Sequence, residues 1–195
     1  MGSKKESVRI RPSSVNDEIP TYFIVMFLEQ ILHLHACNGL QLSGLHSIDS
    51  PRAHISLSST KGALISNIHI SAPGYTRNTD GIDIKESSYI QIRDSYIALA
   101  TGDDCVAIGG GSSYINITHV SCRPGHGFSV RSLGDKGAHE IVEERSVQVS
   151  DVSFGGVRGT SSSQDAIKLS CSRTVGCTNI IMQGINIHPG QATVA

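Results

Sequence analysis

Apolar and polar positions alternate with a period of two in short runs along most of this chain, the pattern of strands with one buried face. Six runs open on a small polar turn and continue as alternating apolar residues. They are Asn38-Gly39-Leu40-Gln41-Leu42, Lys61-Gly62-Ala63-Leu64-Ile65, Ser88-Tyr89-Ile90-Gln91-Ile92, Ser113-Tyr114-Ile115-Asn116-Ile117, Arg145-Ser146-Val147-Gln148-Val149 and Cys177-Thr178-Asn179-Ile180-Ile181, starting 23, 27, 25, 32 and 32 residues apart. A second set lies between them: His54-Ile55-Ser56-Leu57, Gly81-Ile82-Asp83-Ile84, Cys105-Val106-Ala107-Ile108, Gly127-Phe128-Ser129-Val130 and Ala166-Ile167-Lys168-Leu169. Two short strands per repeat interval predict an all-β solenoid, a right-handed single-stranded parallel β-helix. Coils would stack about 4.8 Å apart, with the apolar positions lining a continuous interior. A β-sandwich also has short, evenly spaced strands, but it leaves the phase of the acidic motifs unexplained. Little helix is expected.

Those motifs are Asn78-Thr79-Asp80, Thr101-Gly102-Asp103-Asp104-Cys105 and Gly125-His126-Gly127. Asp80 and Asp103 are 23 residues apart, and Asp104 and His126 are 22 apart. Each motif precedes a strand of the second set, so a solenoid brings Asp80, Asp103, Asp104 and His126 to neighbouring coils on one face. Crowded carboxylates do not all ionise readily, so at least one should keep its proton into mildly acidic pH. A protonated acid beside an ionised base is what glycosidic cleavage requires, and side-chain reach would widen the coil spacing toward the ~6.5–9.5 Å of inverting pairs. Taken singly, an Asp at a turn is explained by its local hydrogen bonds. Three carboxylates also admit a calcium ion, but the spaced oxygens of an EF-hand loop are missing. The glycines around His126 would let backbone and ligand approach closely.

Composition narrows the class. A formal net charge of -1, a pI near 6.7 and the lack of a long basic run exclude a nucleic-acid binder. Twenty glycines and no Trp suit tight turns and strands. Gly109-Gly110-Gly111-Ser112 lacks the Lys and helix of a phosphate loop and is read as a turn. The apolar run Ile19–Leu28 is shorter than the ~20 residues of a membrane span, and no secretory signal is recognised in Met1–Arg11. His33 and His35 read as surface residues, and Lys61, Lys85, Glu143 and Glu144 as solvated. Of five cysteines, Cys105 with Cys122 and Cys171 with Cys177 are the candidate pairs, each closing a loop within one or two coils, while Cys37 is left over. Spacing alone does not decide between these pairs and five reduced thiols. Asn116-Ile117-Thr118 is a glycosylation sequon. The chain divides into an irregular segment 1–31, a solenoid 32–190 and a tail 191–195.

With these residues in view, the chain resembles plant polygalacturonases, pectin-hydrolysing glycosidases with a pectin-lyase-like parallel β-helix. The resemblance runs from about Leu32 to Gly137 and from Ser146 to Pro189. It is strongest at Asn78-Thr79-Asp80-Gly81-Ile82-Asp83, Thr101-Gly102-Asp103-Asp104-Cys105 and Pro124-Gly125-His126-Gly127. It implies that Asp103 is the general acid, that Asp80 and Asp104 activate the attacking water, and that His126 supports the acid and contacts substrate. It further implies inversion, a polygalacturonate substrate, no metal or organic cofactor, no membrane partner, a monomer, a secreted cell-wall setting, and a Cys105–Cys122 disulfide. Cleavage of endo or exo type is left open.

Three departures stand out. The family's Arg-Ile-Lys segment, whose cations grip substrate carboxylates, has no counterpart between Gly127 and Ala195, and whole coils look missing near Arg145. Arg131 stands where the family has Gly. Ser13–Ile31 reads as an insertion, and an aberrant transcript would account for all three. Arg131, Arg158 and Lys168 are the cations that could replace the lost grip. A non-catalytic, pectin-binding β-helix is the alternative reading.

Overall fold

The computed structural model describes residues 9–12, 32–72, 79–99, 103–131, 148–162, 164–172 and 175–189. Glu143-Glu144, the junction near Arg145, the apolar run Ile19–Leu28, Asn78, Thr101-Gly102 and the tail lie outside them. Among the described residues every regular element is a strand, and no helix is long and apolar enough to cross a membrane.

The chain winds as a parallel β-helix with three strands to a coil, one more than the sequence predicts. The first coil comprises β2 (Leu32–His35), β3 (Leu40–Ser43) and β4 (His46–Ile48). The second comprises β5 (Ile55–Ser58), β6 (Lys61–Ser66) and β7 (His69–Ser71). In the next two, β8 (Ile82–Lys85) and β10 (Val106–Ile108) are each followed by one long bent strand, β9 (Ser88–Ala98) or β11 (Ser113–Gly125). β12 (Phe128–Arg131), β13 (Val149–Gly155) and β14 (Arg158–Ser161) follow, then β15 (Ile167–Ser170), β16 (Cys177–Gln183) and β17 (Asn186–Pro189).

The second-set strands stack as a six-stranded sheet in the order β15-β12-β10-β8-β5-β2, parallel throughout. The rest form an eleven-stranded sheet that folds around the other two sides. Its extra strand is β1 (Arg9–Pro12), which lies antiparallel on β3 within the segment read as irregular.

Alternation explains the core. In β8, Ile82 and Ile84 are buried while Asp83 and Lys85 face outward. Parallel register then stacks like on like: Leu42, Ile65, Ile92, Ile117 and Phe154 are successive partners, each at most 1% exposed. The third strand follows from a turn made by one residue. Gly44, Asn67, Asp94, His119, Gly156 and Gly184 occupy the same position in successive coils, all with φ between 51° and 70°. One left-handed residue reverses the pleat and redirects the strand without a loop.

Disulfides join Cys105 to Cys122 and Cys171 to Cys177, and Cys37 is free. Burial fades in the last coil, where Leu169, Ile181 and Met182 are 47%, 43% and 38% exposed. The energetic weight of the core should therefore sit in the middle coils. Ile92→Ala is expected to cost about 2–5 kcal/mol of stability, and Ile181→Ala about 0.5 kcal/mol or less, measured by denaturant unfolding. Equal losses at both sites would contradict a continuous, centrally buried core.

Candidate active site

The ladder of the six-stranded sheet sets the position of the acidic groups. Ile82 pairs with Val106 and Val106 with Phe128. Counting back two residues places Asp80, Asp104 and His126 in one row, with Asp103 one residue earlier. Backbone bonds continue into that row: Gly81 N–H donates to the Asp104 carbonyl at 2.9 Å, Cys105 N–H to Gly127 at 2.6 Å and His126 N–H to Asp103 at 3.0 Å. The backbone amide of Asp104 donates to Asp80 Oδ1 at 3.1 Å and to Asp103 Oδ1 at 3.0 Å. His126 Nδ1 lies 3.9 Å from Asp103 Oδ1. The four candidate residues thus converge.

The glycines flanking His126 serve packing rather than ligand approach. A Cβ on Gly125 would lie 2.7 Å from the Cys105 sulfur, inside the disulfide. Gly127, at φ 95°, has no room for a Cβ because the Ala166 carbonyl of the next coil occupies that space. The motif is written by the disulfide and the coil above it.

Three further residues join the cluster: Asp83 and Ser129, which had no assigned role, and Arg131, named above as a candidate cation. Asp83 hydrogen-bonds to Asp80, a contact that raises the Asp80 carboxyl and works against the rise of Asp83. Ser129 Oγ donates to Asp104 Oδ2 at 2.5 Å, and Arg131 Nη2 donates to the same oxygen at 3.0 Å. Asp83, Ser129 and Arg131 are outward positions of β8 and β12, so period-two alternation could have placed them beside the acidic row.

Burial, followed by the charges of Asp83, Asp103 and Asp104, pushes the Asp80 carboxyl well above the usual carboxylate range. Burial likewise raises Asp83. Asp104 is raised by burial too, but Ser129 and Arg131 work against that rise by favouring its ionised form. Burial and crowding therefore favour the protonated form most plainly at Asp80, where no cation opposes them.

Alongside runs an open cleft of about 740 Å³ across the outer face of the six-stranded sheet. Asp80, Asp83, Lys85, Arg131 and Lys168 line it, as does His33. Asp103, Asp104 and His126 are not on its lining; Asp80 and Arg131 connect them to it through the bonds just given. His33 and Lys85, read as ordinary surface residues, stand in this cleft. Arg158 does not line it and lies on β14, in the other sheet. Asp103, Asp104 and His126 offer donor atoms within 4.8 Å of one another, close enough to share a cation. The same closeness leaves the Asp103 and Asp104 carboxylates nearer than the ~6.5–9.5 Å separation expected of an inverting pair.

A sequence profile of glycosyl hydrolases family 28 matches residues 27–147 and 140–195. The chain belongs to this family. A probable polygalacturonase of Arabidopsis thaliana is 49% identical over 117 residues, covering 60% of this chain and 25% of that protein. A polygalacturonase of Persea americana is 28% identical over 217 residues, covering 80% of this chain and 46% of its own length. A solved polygalacturonase from Erwinia carotovora ssp. carotovora superposes with a TM-score of 0.52 at 28% identity, over 80% of this chain and 43% of that one. The chain spans less than half the length of each of these three proteins.

The crowded carboxyls make a distinct demand on stability. A carboxyl raised on folding stabilises the protein below its unfolded pKa near 3.9, and that contribution is lost as pH rises through the folded value. Asp80→Asn removes the group that must ionise. Its melting temperature should match the wild type near pH 4 and exceed it at pH 8 by at least about 2–4 °C, the equivalent of about 1 kcal/mol at this length. Parallel melting curves for the two proteins across that range would show that crowding carries no penalty.

Proposed function

We propose that this protein hydrolyses the α-1,4 linkages of polygalacturonate in pectin by general acid/base catalysis. The observation that carries the reading is the convergence of Asp80, Asp103, Asp104 and His126 in one row beside an open cleft. Asp103 protonates the leaving glycosidic oxygen, with His126 at 3.9 Å beside its carboxylate. Asp104 activates the water. Of the two carboxyls that resemblance assigns to that step, Asp104 has the side-chain partners that favour its charge, Ser129 and Arg131. Burial and crowding favour the protonated form of Asp80, which supplies the Oδ1 that fixes the Asp104 backbone.

Inversion of configuration rests on the family resemblance, because the carboxylate spacing is shorter than the general rule for inverting enzymes. The resemblance also supports a secreted, cell-wall setting, and the exposed Asn116 on β11 is available for a glycan there, with the Ser153 hydroxyl donating to its Oδ1 at 3.0 Å.

Purified protein should release reducing ends from polygalacturonate at mildly acidic pH, and a chelator should leave the rate unchanged. Asp103→Asn and Asp104→Asn should each lower kcat by about 10²–10⁴-fold. Early products followed by proton NMR should carry the inverted anomer. Pectin that is retained but not cut by folded protein, equally before and after Asp103→Asn, would favour the non-catalytic binding alternative.

A further inference from the structure

We propose that Arg131 is the substrate-gripping cation of this site: its guanidinium rests on Asp104 when the cleft is empty and uses its remaining donors to take the carboxylate of a galacturonate unit, with Lys168 of the next coil beside it. The proposal rests on the polygalacturonate reading above and identifies how this chain holds that substrate.

Geometry is the first support. Arg131 is the last residue of β12, on the outward row that crosses the cleft. Its Nη2 meets Asp104 Oδ2 at 3.0 Å, yet its side chain is 55% exposed while that of Asp104 is only 10% exposed. A guanidinium carries five N–H donors in a planar fork. A single bond to one buried oxygen leaves donors directed to the open side, where they match a second carboxylate in bidentate fashion.

Placement is the second. Lys168 is the register partner of Ser129, which itself donates to Asp104. Arg131 and Lys168 therefore stand on two adjacent coils on one side of Asp104, about 4.8 Å apart along the solenoid. A chain of uronate units lying in the cleft presents anions along this axis. Lys85 faces the same space from β8.

Charge balance is the third. Asp80 and Asp83 line the cleft and Asp103 and Asp104 stand behind them, so whichever of these carboxyls are ionised oppose an anionic polymer. Arg131 both offsets that charge at Asp104 and offers the polymer an attractive contact. A residue that only ordered Asp104 would have no reason to stay half outside, and one that only bound substrate would have no reason to meet Asp104.

The test measures binding and turnover separately. Trigalacturonate and its methyl ester are titrated into the Asp103→Asn protein, with and without Arg131→Gln or Arg131→Lys, each checked for a cooperative thermal transition. Arg131→Gln should weaken binding of the acid by about 10- to 100-fold, the loss of one or two charge-assisted hydrogen bonds, and leave the neutral ester nearly unaffected. Arg131→Lys should recover part of the loss, because charge returns without the fork. Unchanged affinity in Arg131→Gln, or equal losses for acid and ester, would overturn the proposal and leave Arg131 as a partner of Asp104 alone. These outcomes are read from binding, so the proposal can fail while wild-type protein still releases reducing ends, and it can hold if turnover is absent. Wild-type Arg131 protein that binds neither ligand would overturn both this proposal and the polygalacturonate reading.

Discussion

The parallel hydrogen-bond ladder between successive coils is the constraint on which the site depends. Each coil is free in length at its turns, yet β8, β10 and β12 hold strict register through Ile82, Val106 and Phe128. Residues far apart in sequence thereby arrive in one row without any loop being shaped to bring them. The register also decides partners that spacing leaves ambiguous. By counting, Asp80 and Asp103 look equivalent; in the ladder Asp80 shares its row with Asp104, and Asp103 precedes it. That one-residue offset is why a single backbone amide, that of Asp104, can reach both neighbouring carboxylates.

A row of carboxylates at coil spacing is electrostatically expensive, and the site meets that cost in two ways. On one side burial and crowding favour the protonated form of the Asp80 carboxyl. On the other, Ser129 and Arg131 donate to the same oxygen of Asp104. Opposite devices thus act on adjacent coils, and they push the carboxyls apart in character. Such divergence suits Asp104 to the base role proposed for it.

Much of the fold was legible because the solenoid repeats its reasons. Ile and Val at alternate positions marked the strands of two sheets, and the motif phase marked one face. The third strand of each coil was not legible. It is entered through one left-handed residue, Asn67, Asp94 or His119 in the inner coils, and these carry no Pro or Gly cluster to announce a turn. The strands therefore read as one continuous run, and β9 and β11 are indeed continuous across the bend. At the site, Asp80, Asp103, Asp104 and His126 declared themselves by type and spacing. Asp83 and Ser129 did not, since an outward Asp or Ser on a strand is ordinary until register shows what stands beside it. Arg131 was visible as a departure and as one of three candidate replacement cations, and its 3.0 Å contact with Asp104 is what the structure adds.

A solenoid also explains how so short a chain can keep an intact acidic row. Coils touch only their neighbours, so stability and geometry are local sums, and the cluster draws on three consecutive coils. The alignment with the Persea americana protein runs over 217 residues, more than the 195 this chain contains, so that relative carries stretches with no counterpart here. The pairing of β8, β10 and β12 sets that cluster by itself, and one further strand stacks on β12. That neighbour is β15, in register with β12 from Phe128 through Arg131. It brings Lys168 alongside Ser129, while β12 itself ends in an arginine. Arg131 and Lys168 thus gather at the edge of the acidic row. On the proposed reading, substrate binding draws on an arginine already engaged with Asp104, so grip and catalysis are linked through one carboxylate.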